Sequence, residues 1–269
     1  MQIRHGPATV SVAFLATAVR HMPDSLVLPV FAEQGGRTLT RIKYAIPATL
    51  LWLRGFFILC PGASATPMKK QITLIRHAAI ADAWSGRYIG HRDVPLSDAG
   101  VERAQQLTQH LTGRNTQPIE RLWCSPAQRA RQTAQPLSQR LECPVTIDIR
   151  LHEIDFGQWE GLTFAQIQHQ DPHRVDQWAA FADTFCFPGG EALPEFHQRV
   201  NAVVAAIHAE DCGHLAIVSH GGMLQSLLCA LLGWPLQDHL KFTFERGSFA
   251  TLQLEADRAV LTGLYNHDT

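Results

Sequence analysis

Short apolar runs of strand length alternate with amphipathic stretches of helical length from Met68 to the end of the chain. The runs predicted as strands are residues 71–75, 119–123, 145–149 and 214–218. The stretches predicted as helices are residues 97–112, 125–141, a segment around residues 196–207, and residues 221–232. Strands that alternate with helices are typical of a mostly parallel sheet covered on both faces. The pattern therefore predicts an α/β fold with three α/β/α layers.

Turn and capping residues add two local predictions. Ser125 suits the N-cap of a helix and Pro126 suits its first position, so the second helix is predicted to begin there. Residues 241–265 alternate in polarity and are predicted to form two strands around a turn at Arg246 and Gly247.

The first 67 residues differ from the rest of the chain in charge and in pattern. They carry six basic and two acidic side chains, whereas residues 68–269 carry 17 basic and 22 acidic ones. Prolines interrupt them repeatedly, and they sustain neither a helical nor a strand period. We therefore predict a domain boundary near Met68, with residues 1–67 as an N-terminal extension and residues 68–269 as the main domain.

Three interpretations of the extension stay open: dispensable sequence upstream of the true start, a targeting or anchoring segment, or a small appended module. Residues 41–65 imitate a secretory signal, because a basic start precedes an apolar middle and small residues. Against a secretory signal, this segment begins about 40 residues too late and Arg54 interrupts its apolar run.

The overall composition argues against several classes of protein. The 269 residues are 46% hydrophobic, which is enough for a sizeable core. A net charge of −1 disfavours nucleic acid as a partner, and no uninterrupted apolar stretch of about 20 residues indicates a membrane span. The six cysteines form no C-x-x-C pair and indicate reduced thiols of a cytoplasmic protein. No Asp, Glu and His cluster has the spacing of a metal site.

Two of the predicted strands end at candidate ligand-binding residues. Arg76 and His77 follow the first strand, and His220 follows the fourth, immediately before Gly221 and Gly222. In open α/β sheets, ligands bind outside the carboxyl ends of the strands. Free N–H groups at the start of a helix, together with an arginine, favour a dianion such as phosphate. The sequence therefore predicts a phosphate site at this edge of the sheet.

Four blocks of sequence, in their order and spacing, resemble the histidine phosphatases. The blocks are LIRHA at 74–78, CSPAQRARQTA at 124–134, EIDFGQWEG at 153–161 and VSHGG at 218–222. The resemblance covers about residues 70–265 and implies a phosphoglycerate mutase-like fold with a small helical cap. The main domain is thereby identified as a histidine phosphatase domain. A separate Arg-His-Gly triplet contains His5 but lacks a preceding strand, so His5 is not predicted to be the nucleophile.

The resemblance implies a role for each matching residue. His77 would be the nucleophile that takes up the phosphoryl group as a phosphohistidine. Arg76, Arg129 and His220 would surround the phosphate, with His220 also counted among the catalytic residues. Glu153 would protonate the leaving oxygen and later activate water. Because arginines and histidines supply the positive charge, the family implies no metal and no cofactor, with a small phosphorylated metabolite as the partner.

Departures from the family pattern bear on the substrate. Ala78 replaces the usual glycine, and residues 79–83 lack an asparagine that touches phosphate in many relatives, which argues against a sugar-phosphate mutase. Residues 86–90 and 93–97 instead resemble the G-x-Y-x-G and D-x-P-L segments of α-ribazole phosphatases. The further candidates for substrate contact are Arg87, Tyr88 and Gly221.

The segment between Gly161 and Glu191 is predicted to form the cap over the pocket. Its aromatic residues either stack on an aromatic leaving group, such as a benzimidazole nucleoside, or pack the cap's own core. They are Phe164, Trp178, Phe181, Phe185 and Phe187.

Three functions follow as hypotheses. The leading one is a metal-independent phosphomonoesterase with α-ribazole 5′-phosphate, from cobalamin assembly, as its favoured substrate. The second is a phosphoglycerate mutase or sugar-bisphosphatase of the same family. The third is a catalytically silent scaffold that binds a phosphorylated ligand, which would predict loss of His77, His220 or Glu153; all three residues are present.

Overall fold

The computed structural model describes residues 33–34, 37–38, 69–113, 117–181, 184–255 and 258–266. The chain divides into two compact units, Met1–Thr66 and Pro67–Thr269. In the first unit, the described residues form one short antiparallel pair, β1 (Glu33–Gln34) with β2 (Arg37–Thr38). His5 and the signal-like segment 41–65 lie outside the described residues.

The second unit alternates strands and helices as the sequence pattern predicts. Its strands are β3 (Lys70–Arg76), β4 (Arg121–Cys124), β5 (Val145–Ile147), β6 (His214–Ser219), β7 (Phe249–Glu255) and β8 (Arg258–Tyr265). Its α-helices are α1 (Asp98–Gly113), α2 (Gln128–Leu141), α3 (Phe164–Gln170), α4 (Pro172–Ala179), α5 (Leu193–Ala209) and α6 (Gly221–Leu232). Short 3₁₀ turns connect several of them.

One six-stranded sheet organises this unit, in the order β5-β4-β6-β3-β7-β8. Strands β5, β4, β6 and β3 pair in parallel, and β7 and β8 pair antiparallel at one edge. The predicted α/β fold with a mostly parallel sheet is confirmed. The register aligns Arg76 of β3 with Ser219 of β6, so these two neighbouring strands end at the same level.

Alternate side chains of the central strands pack on opposite faces of the sheet, because successive residues of a strand point to opposite sides. Leu74 and Ile217 belong to the larger core, which also contains the buried faces of α5 and α6. Ile75 and Val218 belong to the second core, with α1 and α2. Helices therefore cover both faces, as the three-layer prediction requires.

The carboxyl-terminal part of the sheet corrects one prediction from the sequence. Arg246 and Gly247 do form a turn, but it leads into β7 and does not join two strands. The predicted pair of strands is instead β7 and β8, which flank residues 256–257. The Gly247 N–H donates a 3.0 Å hydrogen bond to the carbonyl of His77, and its φ of 76° lies in the left-handed region that favours glycine. The turn is therefore hydrogen-bonded to the backbone of His77, the candidate nucleophile.

The segment between Gly161 and Glu191 contains the two short helices α3 and α4. Phe185 and Phe187 of this segment are buried in the larger core, whereas Phe164 is 45% exposed. The predicted helical cap is present, and its aromatic residues divide between core and surface. Across the described ranges, no helix has the length and apolar character that crossing a membrane requires.

Candidate active site

Three adjacent parallel strands end at the same edge of the sheet, and each is followed by a residue of the candidate site. His77 follows β3, His220 follows β6, and Ser125 follows β4. Backbone hydrogen bonds continue past the strand ends, from His77 N–H to the Ser219 carbonyl and from Ser125 N–H to the Val218 carbonyl, each at 2.9 Å. Neighbouring parallel strands end at the same edge of a sheet, so these three residues meet there.

The imidazole of His77 is buried and oriented by its own backbone. Nδ1 lies 2.8 Å from the carbonyl oxygen of Ala78, so the N–H is on Nδ1 and Nε2 carries the lone pair. Burial, together with the charges of Arg129 and Arg76, holds the pKa of His77 well below 6.5. A neutral imidazole with a free Nε2 is the form that can attack phosphorus.

His220 lies beside His77, at the end of the neighbouring strand. Its ring centroid lies 5.2 Å from that of His77. Nε2 is 2.7 Å from the hydroxyl oxygen of Ser125, while the buried Nδ1 has no hydrogen-bond partner among the described residues. Burial, with Arg129 and His77 nearby, also holds the pKa of His220 well below 6.5. An unpartnered buried ring nitrogen is suited to a polar ligand.

Two buried guanidinium groups flank the histidines. Arg129 is fully buried and binds backbone carbonyls of the preceding loop, Gly90 at 2.8 Å and Arg92 at 2.9 Å. Arg76 donates to the Phe244 carbonyl. The Nε of each arginine is buried without a partner in the described part of the chain. Burial lowers the pKa of Arg76 to about 10, which still leaves it charged at neutral pH. Two cations with unused donors form a site for a dianion.

The carboxyl group of Glu153 is anchored at the start of α6. Its oxygens accept hydrogen bonds of 3.0 Å from the N–H groups of Gly222 and Met223. This arrangement corrects the expectation that these helix N–H groups are free for phosphate, because they bind Glu153 instead. A Cβ on Gly222 would lie 2.8 Å from Glu153 Oε1, and a Cβ on Gly221 would lie 3.2 Å from Arg76 Cζ. The glycine pair thus lets the helix approach both charged side chains.

All the predicted site residues except His220 line one cavity of about 240 Å³. Its lining residues include Arg76, His77, Arg87, Tyr88, Arg129, Glu153 and Gly221. His220 is not among the lining residues, but its ring lies next to that of His77. The Arg87 guanidinium donates to the carbonyls of Ala83 and Gly161, so it also ties the loop at the cavity mouth to the segment after Glu153. Among the described residues, no group of three or more His, Cys, Asp or Glu side chains has metal-binding geometry.

Ala78, which occupies the position of the usual family glycine, fits without strain. It is fully buried against Ile80, Val94 and Leu96. Its φ is not positive, so a side chain at this position meets no backbone restriction. The Ala78 N–H donates to the Thr133 hydroxyl at 3.0 Å, which fixes the backbone beside His77.

Sequence reasoning missed two residues of the site. Ser125 is not a helix N-cap, since α2 begins at Gln128 with Ala127 in the cap position, and its hydroxyl lies against His220 instead. Arg246 lines the cavity, half-buried, and no hydrogen bond or ion pair to a described residue holds its guanidinium. The turn-forming pair Arg246 and Gly247 was visible in the sequence, but its place beside His77 depends on the sheet order.

A model of the histidine phosphatase superfamily (branch 1) matches residues 72–267. The adenosylcobalamin/alpha-ribazole phosphatase of Salmonella typhimurium is 32% identical over 200 residues, covering 71% of this chain and 98% of that protein. Phosphoserine phosphatase 1 of Hydrogenobacter thermophilus is 27% identical over 197 residues, covering 72% of this chain and 91% of that protein. The crystal structure of the alpha-ribazole phosphatase from Shigella flexneri matches with a TM-score of 0.64 at 28% identity, covering 72% of this chain and 95% of that chain.

Proposed function

Because the chain belongs to branch 1 of the histidine phosphatase superfamily, we propose that it hydrolyses a small phosphate monoester without a metal, through a phosphohistidine at His77. The observation that carries this proposal is the neutral, oriented imidazole of His77 beside two buried guanidinium groups with unused donors. A protein catalyses phosphoryl transfer mainly by positioning the phosphate and neutralising its charge.

The first proposed step transfers the phosphoryl group to the protein. Nε2 of His77 attacks phosphorus, the bond between phosphorus and the ester oxygen breaks, and the leaving oxygen takes a proton from Glu153. Arg76 and Arg129 hold the phosphate oxygens through their free Nε–H groups. His220 offers its unpartnered Nδ1 to the same group.

The second proposed step restores the protein. Water attacks the phosphohistidine, the bond between phosphorus and Nε2 breaks, and Glu153 takes the proton that water releases. The product is inorganic phosphate, and His77 returns to its neutral form. Glu153 lines the same cavity as His77, and this supports its proposed role as proton donor and acceptor.

We further propose α-ribazole 5′-phosphate as the favoured substrate, with a cytoplasmic role in cobalamin assembly. The names of the Salmonella typhimurium and Shigella flexneri relatives support this choice. The segment around Arg87 and Tyr88 supports it as well, because both residues line the catalytic cavity.

The test is a panel of phosphate monoesters assayed with and without EDTA. We expect release of phosphate from α-ribazole 5′-phosphate, undiminished by EDTA, because the charge around the phosphate comes from arginines. Activity lost to EDTA and restored by a divalent metal would contradict the mechanism. Activity confined to sugar phosphates would contradict the substrate choice.

A second candidate substrate carries a carboxylate beside its phosphate, as phosphoserine does. The observation that favours it is Arg246, a cavity-lining guanidinium without a hydrogen bond or ion pair to a described residue. Such a cation can bind a second anionic group. If this candidate holds, Arg246→Met will lower kcat/KM for phosphoserine far more than for ribose 5-phosphate; an equal loss for both esters would reject it.

A further inference from the structure

A second cavity, of about 320 Å³, opens beside the catalytic one. Its walls are mainly apolar and aromatic, and they come from the cap and from the segment before β7. The lining includes Tyr88, Phe164, Trp178, Ala179, Phe181 and Leu240. Among the described residues that line it, none is Asp, Glu, Lys or Arg. We call this cavity the aromatic annex.

Tyr88 is the wall that the annex and the catalytic cavity share. Its ring meets Phe156, which lines the catalytic cavity, edge to face at 5.0 Å. The Tyr88 ring also meets Trp178, which lines the annex, at 5.7 Å. Because Tyr88 lines both cavities, the catalytic cavity and the annex are neighbours.

The rim of the annex exposes large apolar side chains. Leu240 is 71% exposed and Phe164 is 45% exposed. Scattered exposed apolar residues are ordinary, but these two lie at the mouth of one cavity, and clustered apolar surface marks binding sites. Burying such surface under a ligand is favourable.

One residue that lines the annex, Phe181, has a strained backbone conformation. Phe181 has a φ of 50°, in the left-handed region that bulky residues avoid. Its ring lies edge-on against His239 at 5.2 Å. Strained backbone persists where surrounding contacts enforce it, and it concentrates at ligand sites.

We propose that the aromatic annex binds a flat, uncharged aromatic ring carried by the leaving group of the substrate. The proposal rests on the proposed function, since it names the class of ester that the His77 site would hydrolyse. Cavities that hold drug-sized ligands range from about 300 to 1,000 Å³, so the volume of the annex suits one ring system. The apolar and aromatic side chains that line the described part of the annex favour an uncharged ring over a carboxylate or a second phosphate.

The experiment compares two esters with the same 5′-phosphate on ribose: ribose 5-phosphate, and α-ribazole 5′-phosphate, which adds an aromatic base. We expect kcat/KM for the aromatic ester to exceed that for ribose 5-phosphate by about tenfold, as burial of one ring against apolar walls predicts. Adenosine 5′-phosphate serves as a third ester. Its kcat/KM shows whether a flat ring other than the base of α-ribazole gives the same preference over ribose 5-phosphate.

Two variants at exposed positions change the annex without removing a core contact. Ala179→Trp fills it, and Leu240→Asp places a charge at its rim. We expect each variant to reduce the preference for the aromatic ester to near unity. Val101→Ala serves as the matched control, because Val101 is an exposed apolar residue of α1 outside both cavities and should keep the wild-type preference.

Binding to the inactive His77→Ala protein separates this proposal from the proposed function. Calorimetric titration with the two sugar esters should give the same preference, lost again when Ala179→Trp is added. If neither ester is hydrolysed, the proposed function fails, and these Kd values still decide for or against the annex. Equal Kd values for the two esters, or a preference that both annex variants leave unchanged, would overturn the annex while the phosphatase mechanism stands.

Discussion

Burial sets the protonation of the two histidines at the catalytic cavity, and single hydrogen bonds set which nitrogen carries the proton. Desolvation is the main cause of the lowered pKa of His77 and of His220. The Ala78 carbonyl holds the proton of His77 on Nδ1. For His220 the corresponding partner is Ser125, whose oxygen lies 2.7 Å from Nε2.

Ser125 is predicted to set the tautomer of His220. Its oxygen accepts from the Ala127 N–H at 3.4 Å, and we expect its own proton to be donated to Nε2 of a neutral His220. The proton of His220 then lies on Nδ1, facing the ligand. We expect Ser125→Ala to lower kcat by about tenfold, in line with the loss of one buried hydrogen bond.

Nitrogen-15 NMR of histidine-labelled protein measures the tautomer directly. The wild-type protein should show a protonated Nδ1 on His220 at pH 7, and Ser125→Ala should shift the population toward protonated Nε2. Ser125→Cys, which keeps the size of the side chain but donates weakly, serves as the control for packing. A wild-type His220 protonated on Nε2 would contradict this account.

At the scale of elements, Arg199 of α5 supports the segment that carries Glu153. It donates to the carbonyls of Arg150 at 2.8 Å and of His152 at 2.6 Å, and contacts the Glu153 carbonyl at 3.3 Å. It also forms a two-pronged ion pair with Glu191, at 2.9 and 2.7 Å. The two side chains are only 17% and 14% exposed, so removing one leaves the other charge largely buried.

We therefore expect Arg199→Met to lower the free energy of unfolding by about 3 kcal/mol. We expect kcat to fall as well, because the position of Glu153 loses support. Urea unfolding and steady-state assays measure the two effects. Arg174→Met is the matched control, since the Arg174–Asp171 pair is largely exposed and contributes little. Equal stability losses in both variants would contradict the role of Arg199.

The elements themselves could be predicted from the sequence, but their order in the sheet could not. Apolar periodicity located β3, β6 and the helices around them, because those segments bury one face over many residues. Strand order depends on long-range pairing, which puts β4 beside β6 and hence Ser125 beside His220. His77 and Glu153 could be assigned because each lies in a recognisable block of sequence. Arg246 lies in no such block, and its position in the catalytic cavity depends on the order of the strands.

At the scale of the whole molecule, buried neutral histidines couple stability to pH. Burial lowers the pKa values of five histidines: His77, His152, His214, His220 and His239. In the unfolded chain these groups titrate near 6.5. Below that pH the unfolded chain binds more protons than the folded protein, so stability is present above pH 6.5 and is lost as the pH falls toward the folded-state pKa values.

The melting temperature should therefore fall between pH 7 and pH 5. His77 and His220 are both almost fully buried, and together they should lower the free energy of unfolding by about 2 kcal/mol over the first pH unit below 6.5. The slope should be smaller in His77→Asn and unchanged in His173→Gln, a control at an exposed position. A free energy of unfolding that does not change across this interval would contradict this account. It would show that the histidines bind protons equally in the folded and the unfolded protein.

The main domain is predicted to be independent of the extension. The family match begins at residue 72, and both cavities are lined by residues after it. We expect a chain shortened to begin at Met68 to keep its kcat and its melting temperature, because that chain contains the whole family match and every residue that lines the two cavities. A fall of more than about 5 °C in melting temperature, as the loss of a substantial packed surface would cause, would contradict the boundary.

Trapping of the covalent intermediate tests the central claim, which is transfer of phosphate to His77. Protein mixed with ³²P-labelled α-ribazole 5′-phosphate and quenched in base within milliseconds should retain label that is stable to base and labile to acid, as phosphohistidine is. Peptide mapping should locate the label on His77, and His77→Ala should retain none. Label on another residue, or full turnover by the His77→Ala protein, would contradict the account.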